Sequence, residues 1–338
     1  MTLRLKTTCA ILCLWMAQSC AADNYSENPA ALALVDEMVR EEGFDREQLL
    51  QLFAQAERQD SALKAMTRPA EKSKAWWEYR EIFADKDREK GGVAFFNEHR
   101  EALARAESEL GVPAEIIVAI IGVETRYGRV TGGYRVIDAL SSMAFDYPTE
   151  LSNHVARSKF FTSELKNYLL LTREQSFDPL DLTGSYAGAM GLGQFMPSSY
   201  REYAIDFDGD DIIDIWNNPV DAIGSVANYF KRHGWRSGET VVLAADAAAD
   251  VPDELFVKTR KDLKPQRSVA EFAAAGIVAR EEVDPQAMAT AMKFELREGY
   301  EYWLGLHNFY VITRYNHSAM YAMSVYQLSQ RLAAEVGR

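Results

Sequence analysis

From about residue 31 to 110, apolar positions recur every three or four residues, with Glu, Arg and Lys on the faces between them. That period predicts a succession of amphipathic helices. The cluster Trp76-Trp77-Glu78-Tyr79 interrupts it, either as a packed aromatic corner or as a platform for sugar rings. Residues 114 to 128, AEIIVAIIGVETRYG, form the next helical stretch, with Ile117, Ile120, Ile121 and Glu124 in one stripe. Pro113 suits its first turn and Gly128 its stop. Further helices are expected over 134–146 and 152–172, and from Asn218-Pro219 to Gly234. From 239 to about 312 the runs ETVVLAA, ELFVKTR, AMKFELR and YEYWLGL alternate in part, the mark of a small separate β subdomain. A short helix is expected within it near 268–275. Residues 317–336 return to a closing helix.

Glu124 stands at the end of an apolar stripe. A carboxyl group carried to the edge of an apolar wall loses hydration, which raises its pKa. It is then prepared to donate a proton near neutral pH. The plainer alternative is a glutamate at a frayed helix end, paired with Arg126 or Arg129.

Two loops add candidate chemistry. Residues 184–197, GSYAGAMGLGQFMP, hold four glycines in ten residues, a composition suited to close backbone approach or to a tight structural turn. No Lys follows the glycines and no strand precedes them, so this is not a phosphate loop. Residues 206–221, DFDGDDIIDIWNNPVD, set Asp206, Asp208 and Asp210 at alternate positions, as in a calcium loop between helices. The fit is partial: the sixth position is Asp211 where Gly belongs, and the twelfth is Asn217 where Glu belongs. Asp221 could close the site. A bound calcium is favoured over a solvated acidic loop, because clustered carboxylates repel one another without a cation.

The totals narrow the class. With 338 residues, 48% of them apolar and 11% aromatic, the chain can bury a large core in one to three domains. A net charge of −13 argues against nucleic acid and against a polybasic membrane contact. An anionic polymer would have to be held by stacking and hydrogen bonds. Residues 1–22 read as an export signal: Arg4 and Lys6, an apolar run from Cys9 to Ala17, then small residues. The run is too short to span a bilayer. All three cysteines, Cys9, Cys13 and Cys20, lie there, leaving the body without a disulfide framework or a cysteine metal site. Ala17-Gln18-Ser19-Cys20 is loosely similar to a lipoprotein processing site that would lipidate Cys20; cleavage after Ala21 or Ala22 would release a soluble protein.

The segments GVPAEIIVAIIGVETRYGRV, SYAGAMGLGQFMPSSY, NPVDAIGSVANYFKRHGW and NFYVITRYNHSAMYAM run in order from about 110 to 325. In these the chain resembles the lytic transglycosylases of the membrane-bound type B family, bacterial enzymes that cleave peptidoglycan. Looser similarity extends back to Tyr79. The resemblance implies a mainly α (α+β) fold: an N-terminal helical domain over 23–95 joined by the closing helix 317–338, a lysozyme-like core with a calcium loop over 96–236, and a β subdomain over 237–312. It implies non-hydrolytic cleavage between N-acetylmuramic acid and N-acetylglucosamine, with Glu124 as sole acid and base and a 1,6-anhydromuramyl end as product.

Other roles carry over by motif. Ser185 would hydrogen-bond and orient Glu124, and Gln194 would contact the sugar. Tyr79, Tyr229, Tyr315, Asn316 and Tyr321 would line the groove, although Tyr229 and Tyr321 could simply be core. Asp206, Asp208, Asp210, the Ile212 carbonyl and Asp221 match the family's structural calcium loop, but the segment before Asp221 is one residue longer than the family leads one to expect. No organic cofactor is implied. The expected partners are peptidoglycan strands and other cell-wall enzymes. The expected location is the periplasm, with an outer-membrane anchor only through a lipid on Cys20. Two rivals stand beside this reading. One is a hydrolytic muramidase, which would need a second carboxylate, the closest being Asp138 and Asp146, both expected at the surface. The other is a peptidoglycan-binding protein without turnover.

Overall fold

The computed structural model describes residues 24–67 and 74–338; the expected export signal and its cysteines lie outside the described residues. The amphipathic stretch becomes six helices, Pro29–Glu42, Arg46–Gln55, Asp60–Thr67, Trp76–Glu81, Lys86–Glu98 and Arg100–Leu110. The first shows why they form. Asn28 caps the N–H groups of Ala30 and Ala31, proline occupies the first turn, and Ala31, Leu34, Val35 and Met38 fall on one buried face.

The helix Ala114–Thr125 is the centre of the molecule. Every residue from Ile116 to Val123 is buried. The single stripe expected from the spacing understates this, since a helix apolar all round must be wrapped on all sides. The closing helix Ala319–Val336 and the helices Lys86–Glu98, Arg100–Leu110 and Pro219–Arg232 pack around it. It stops at Thr125 rather than at Gly128, because Arg126 and Tyr127 both turn left-handed (φ 51° and 61°). The Tyr127 ring then folds back against Gly91, Gly92 and Gly122. A Cβ on Gly122 would lie 2.4 Å from the Tyr127 hydroxyl, so the close approach requires glycine there.

Helices Val136–Phe145, His154–Glu174, Pro197–Tyr203 and Pro219–Arg232 complete the core. Beyond them is an antiparallel five-stranded sheet in the order Arg267–Ser268, Met288–Glu295, Tyr300–Gly305, Val242–Ala247, Ile277–Ala279. It has its own core, in which Leu243, Phe256, Phe272, Ile277 and Leu304 take part. One expected strand is absent. ELFVKTR folds instead around two short 3₁₀ turns, Asp253–Leu255 and Arg260–Leu263, with Phe256 making a lone parallel bridge to Ala291. The last strand ends at Gly305 and the chain is helical again from His307, five residues before the expected end of the β subdomain. Among the described residues no helix is long and apolar enough to cross a membrane.

Asp138 and Asp146 are not the surface residues that the helical pattern predicted. Asp138 is 2% exposed, bonded by the Arg135 guanidinium at 2.7 and 3.0 Å and by the Glu57 backbone N–H at 2.9 Å. Asp146 accepts from the Tyr25 hydroxyl at 2.9 Å and pairs with Arg58 at 3.6 Å. Both carboxylates tie residues 25–59 to the core, which gives them a structural use in place of the chemical one. Replacing Asp138 with Ala removes the carboxylate that two Arg135 bonds and the part-buried Glu57 N–H share, leaving Arg135 only the Gln55 carbonyl and the more distant Glu57 carboxylate. The variant should lose about 3 kcal/mol in urea unfolding; an unchanged midpoint would mean that this tie contributes nothing to stability.

Candidate active site

Glu124 occupies the last turn of the central helix. Its only hydrogen-bond donor among the described residues is the Tyr321 hydroxyl on the closing helix, 2.5 Å from Oε1. Burial pushes the Glu124 carboxyl up to about 7, and the Tyr321 bond pulls back against that rise. Its place at the carbonyl end of a helix disfavours the anion further. No second carboxylate among the described residues contributes to the shift. Taken as a whole residue, Glu124 is only partly buried.

Tyrosines surround it. Tyr321 is 3% exposed, and burial first, then the neighbouring Glu124, holds its phenol well above the usual range. It therefore stays protonated and remains a donor. Tyr315 is raised for the same two reasons, and Tyr79 more mildly. Tyr79 is half-buried, stacked on Trp76 with centroids 6.4 Å apart. Asn316, exposed at the end of the helix His307–Tyr315, has no protein partner for its side-chain amide among the described residues.

The glycine-rich loop 184–197 does make the close backbone approach that its composition suggested. The Leu192 carbonyl accepts from Thr125 Oγ1 at 2.9 Å and the Gly193 carbonyl from the Tyr315 hydroxyl at 2.5 Å. A Cβ on Gly193 would sit 2.9 Å from that hydroxyl. The loop is thereby fastened to the end of the Glu124 helix and to the tyrosine wall at once. Gln194, held at φ 52°, donates through Nε2 to the carbonyls of Thr131 and Gly191 at 3.1 and 2.9 Å. That leaves Oε1 as the open end of its amide.

Three of the roles expected at the sugar site change. Ser185 does not hydrogen-bond Glu124; its Oγ accepts from the N–H groups of Ala187 and Ala189 at 3.3 and 3.0 Å. Ser185 thus braces the turn of the loop while Tyr321 holds the carboxyl. Tyr229 is 8% exposed; it stands behind Tyr315 at 4.8 Å and donates to the Arg314 carbonyl at 2.6 Å. Tyr321, expected to line the groove, is only 3% exposed and serves instead as the donor to Glu124. Thr125 and Tyr127 were not singled out from the sequence, although both follow directly on Glu124. Thr125 is buried, bonded by the Gly128 N–H at 3.0 Å, and Tyr127 wedges the helix end.

In the acidic loop, Asp206, Asp208 and Asp210 each bring a carboxylate oxygen within 4.8 Å of the others. Asp206 lies below the usual carboxylate range, bonded by the N–H groups of Gly209, Asp211 and Asp210. Hard oxygens gathered in this way fit a calcium ion, and the Ile212 carbonyl accepts no other hydrogen bond among the described residues. Asp221 departs from the expected ligand set. It is fully buried, with its two oxygens taken by the N–H groups of Phe207 at 2.7 Å and Asp214 at 2.8 Å, and it clamps the two ends of the loop together.

Since the Tyr321 bond favours the ionised carboxyl, Tyr321→Phe should move the Glu124 titration above its wild-type value near 7. Carboxyl-carbon NMR across pH 5–9 reads this directly, and a downward or null shift would mean that the hydroxyl does not control the proton.

Residues 27–330 match the transglycosylase SLT domain family. The chain is 46% identical over 319 residues to the membrane-bound lytic murein transglycosylase B of Escherichia coli K12, across 92% of this chain and 84% of that protein. Among solved structures it is similar to the soluble lytic transglycosylase SltB1 of Pseudomonas aeruginosa, with a TM-score of 0.86 and 54% identity over 92% of this chain and 100% of that one. It is similar also to the Escherichia coli lytic transglycosylase Slt35 in complex with calcium, with a TM-score of 0.84 and 45% identity over 94% and 96% of the two chains. On sequence and on fold alike, the chain belongs to the transglycosylase SLT domain family.

Proposed function

We propose that this chain is a lytic transglycosylase of peptidoglycan in which Glu124 alone moves the proton. The observation that carries the reading is a single dry carboxyl, titrating near 7, with one neutral hydroxyl beside it and no second carboxylate among the described residues adding to its shift. Neutral Glu124 protonates the oxygen between N-acetylmuramic acid and N-acetylglucosamine as the C1–O bond breaks. The substrate's own N-acetyl oxygen meets the positive charge at C1. Ionised Glu124 then removes the proton from the muramyl C6 hydroxyl, O6 bonds to C1, and the acid is restored with no water consumed.

A carboxyl with its pKa close to ambient pH can serve in both steps. An ordinary glycosidase needs two carboxylates about 5 to 9.5 Å apart; here the sugar supplies the neighbouring group and the nucleophile. Tyr321 orients Glu124, Tyr79, Tyr315 and Asn316 contact the sugars, Gln194 offers Oε1, and Ser185 and Tyr229 support the loop and Tyr315 from behind. On a chain of net charge −13, stacking and hydrogen bonds must hold the strand. The export signal read in residues 1–22 supports a periplasmic site of action, whether the protein is anchored by a lipid on Cys20 or released by cleavage after Ala21 or Ala22. Asp206, Asp208, Asp210 and the Ile212 carbonyl would hold a calcium ion, with Asp221 bracing the loop; the ion supplies charge neutralisation and no step of the reaction.

Glu124→Gln keeps the shape and removes the titrating proton. Mass spectrometry of digested murein should show 1,6-anhydro ends from the wild type and at least ~100-fold fewer from the variant, while sedimentation with murein persists. Reducing muramic ends would overturn the non-hydrolytic reading. The same variant carries a stability signature. Because the folded-state pKa is raised from 4.5 to about 7, the wild type keeps this contribution fully below pH 4.5 and loses it as pH rises through 7. Relative to wild type, Glu124→Gln should therefore gain on the order of 2–3 kcal/mol between pH 4.5 and pH 8; parallel stability curves would place the carboxyl in water.

For the acidic loop, chelation should lower the thermal midpoint by a few degrees, and calcium should restore it more fully than magnesium. A midpoint flat across a calcium titration would reduce the loop to a solvated turn.

A further inference from the structure

Where the β subdomain meets the start of the closing helix, a pocket of about 380 Å³ has Trp76, Phe294 and Met320 among its walls. Its charge is opposite to that of the chain. Lys74, Lys258, Arg260 and Lys293 line it against a single carboxylate, Glu295, on a protein of net charge −13. Lys293 is engaged by Asp253 at 2.8 Å. Lys258 and Arg260 are exposed and form no ion pair among the described residues. The first-turn N–H groups of Ala319 and Met320, which have no acceptor within their own helix, lie along the same wall and add to its positive field.

The pocket adjoins the Glu124 site. Met320 lines it, and the next residue, Tyr321, bonds Glu124. Trp76 forms its inner wall, and Tyr79, one turn further along that short helix, stacks on Trp76. His317 lies on its rim directly after Asn316.

We propose that this pocket binds the carboxylates of the peptide that muramic acid carries on its lactyl group, with Lys258 and Arg260 as the specificity-determining residues. The inference rests on the reading that muramic acid sits beside Glu124. A strand bound there must send its stem peptide out of the groove, and this adjoining pocket offers an acidic peptide two exposed cations that form no ion pair among the described residues. The β subdomain then has a task in recognition: its loop 257–263 sets the two cations opposite the helix that holds the catalytic carboxyl.

The test compares two murein preparations that differ only in the stem, one with free carboxylates and one with those carboxylates amidated. The wild type should show a kcat/KM roughly three- to tenfold higher on the first, the range expected of two or three exposed charge pairs. The double variant K258E/R260E should lose that preference, mainly through KM, and should keep its rate on the amidated strands within about twofold. Both residues are exposed, so the variant is expected to fold; its thermal midpoint checks this. Binding of the free acidic stem peptide to Glu124→Gln, followed by NMR, should weaken by a similar factor when the two charges are reversed. Equal wild-type rates on the two mureins, or a preference that survives K258E/R260E, would overturn the proposal. Absence of anhydro product from either murein would instead overturn the Glu124 reading, so the two failures are distinguishable.

Discussion

A carboxyl group kept out of water at the carbonyl end of a helix, with one hydroxyl to hold it, is the constraint around which this molecule is built. Left alone, such a group would draw water in or swing out to meet it. Three distant parts of the chain prevent this. The closing helix brings Tyr321 to Oε1, the glycine-rich loop fastens Leu192 to Thr125, and the paired glycines of Lys86–Glu98 admit the Tyr127 ring. Each contact is separated in sequence from Glu124 by tens of residues or more, or depends on a partner that is. The site therefore exists only in the finished fold, and the burial that gives Glu124 its pKa is the burial that holds the helices together.

The acidic loop makes the opposite use of the same chemistry. Asp206 is only partly buried, and backbone N–H groups stabilise its charge, so its pKa falls. Glu124 is desolvated and has one neutral donor, so its pKa rises. Neither outcome follows from the residue type. Both follow from whether donors replace the lost water, and that also separates a group suited to holding a cation from one suited to passing a proton.

How much of this could be read in the sequence depended on the range of the interaction. The central helix, the closing helix, the short helix near 268–275 and the strands Met288–Glu295 and Tyr300–Gly305 announce themselves by period. ELFVKTR misled because Phe256 is apolar for the sake of the subdomain core and Val257 for packing against the main core, and burial alone cannot distinguish such packing from a ladder. Asp138 and Asp146 were misjudged since a helical pattern gives no sign of a partner such as Arg58 or Tyr25 far away in sequence. The same blindness hid that Tyr321 and not Ser185 holds Glu124: the resemblance placed both at the site, but only coordinates tell which oxygen faces the carboxyl and which faces the loop. Tyr127 left a faint trace, a bulky residue immediately after the helix end, which makes sense only beside Gly91 and Gly92.

One carboxyl is enough for the proposed reaction because the second proton-accepting event comes after the first has emptied the acid. Had the attack come from bulk water, a separate base would be needed to activate and place it. A sugar hydroxyl already fixed to the reacting ring needs no such base, and an intramolecular attack gains a large advantage in effective concentration. That advantage survives only where water is kept from competing. The dry setting of Glu124 thus serves two ends: it raises the pKa so that a proton is available, and it leaves the internal hydroxyl without a rival. A more open pocket would lower the pKa and admit water together, so loss of the acid and gain of hydrolysis are expected as coupled failures of one packing arrangement.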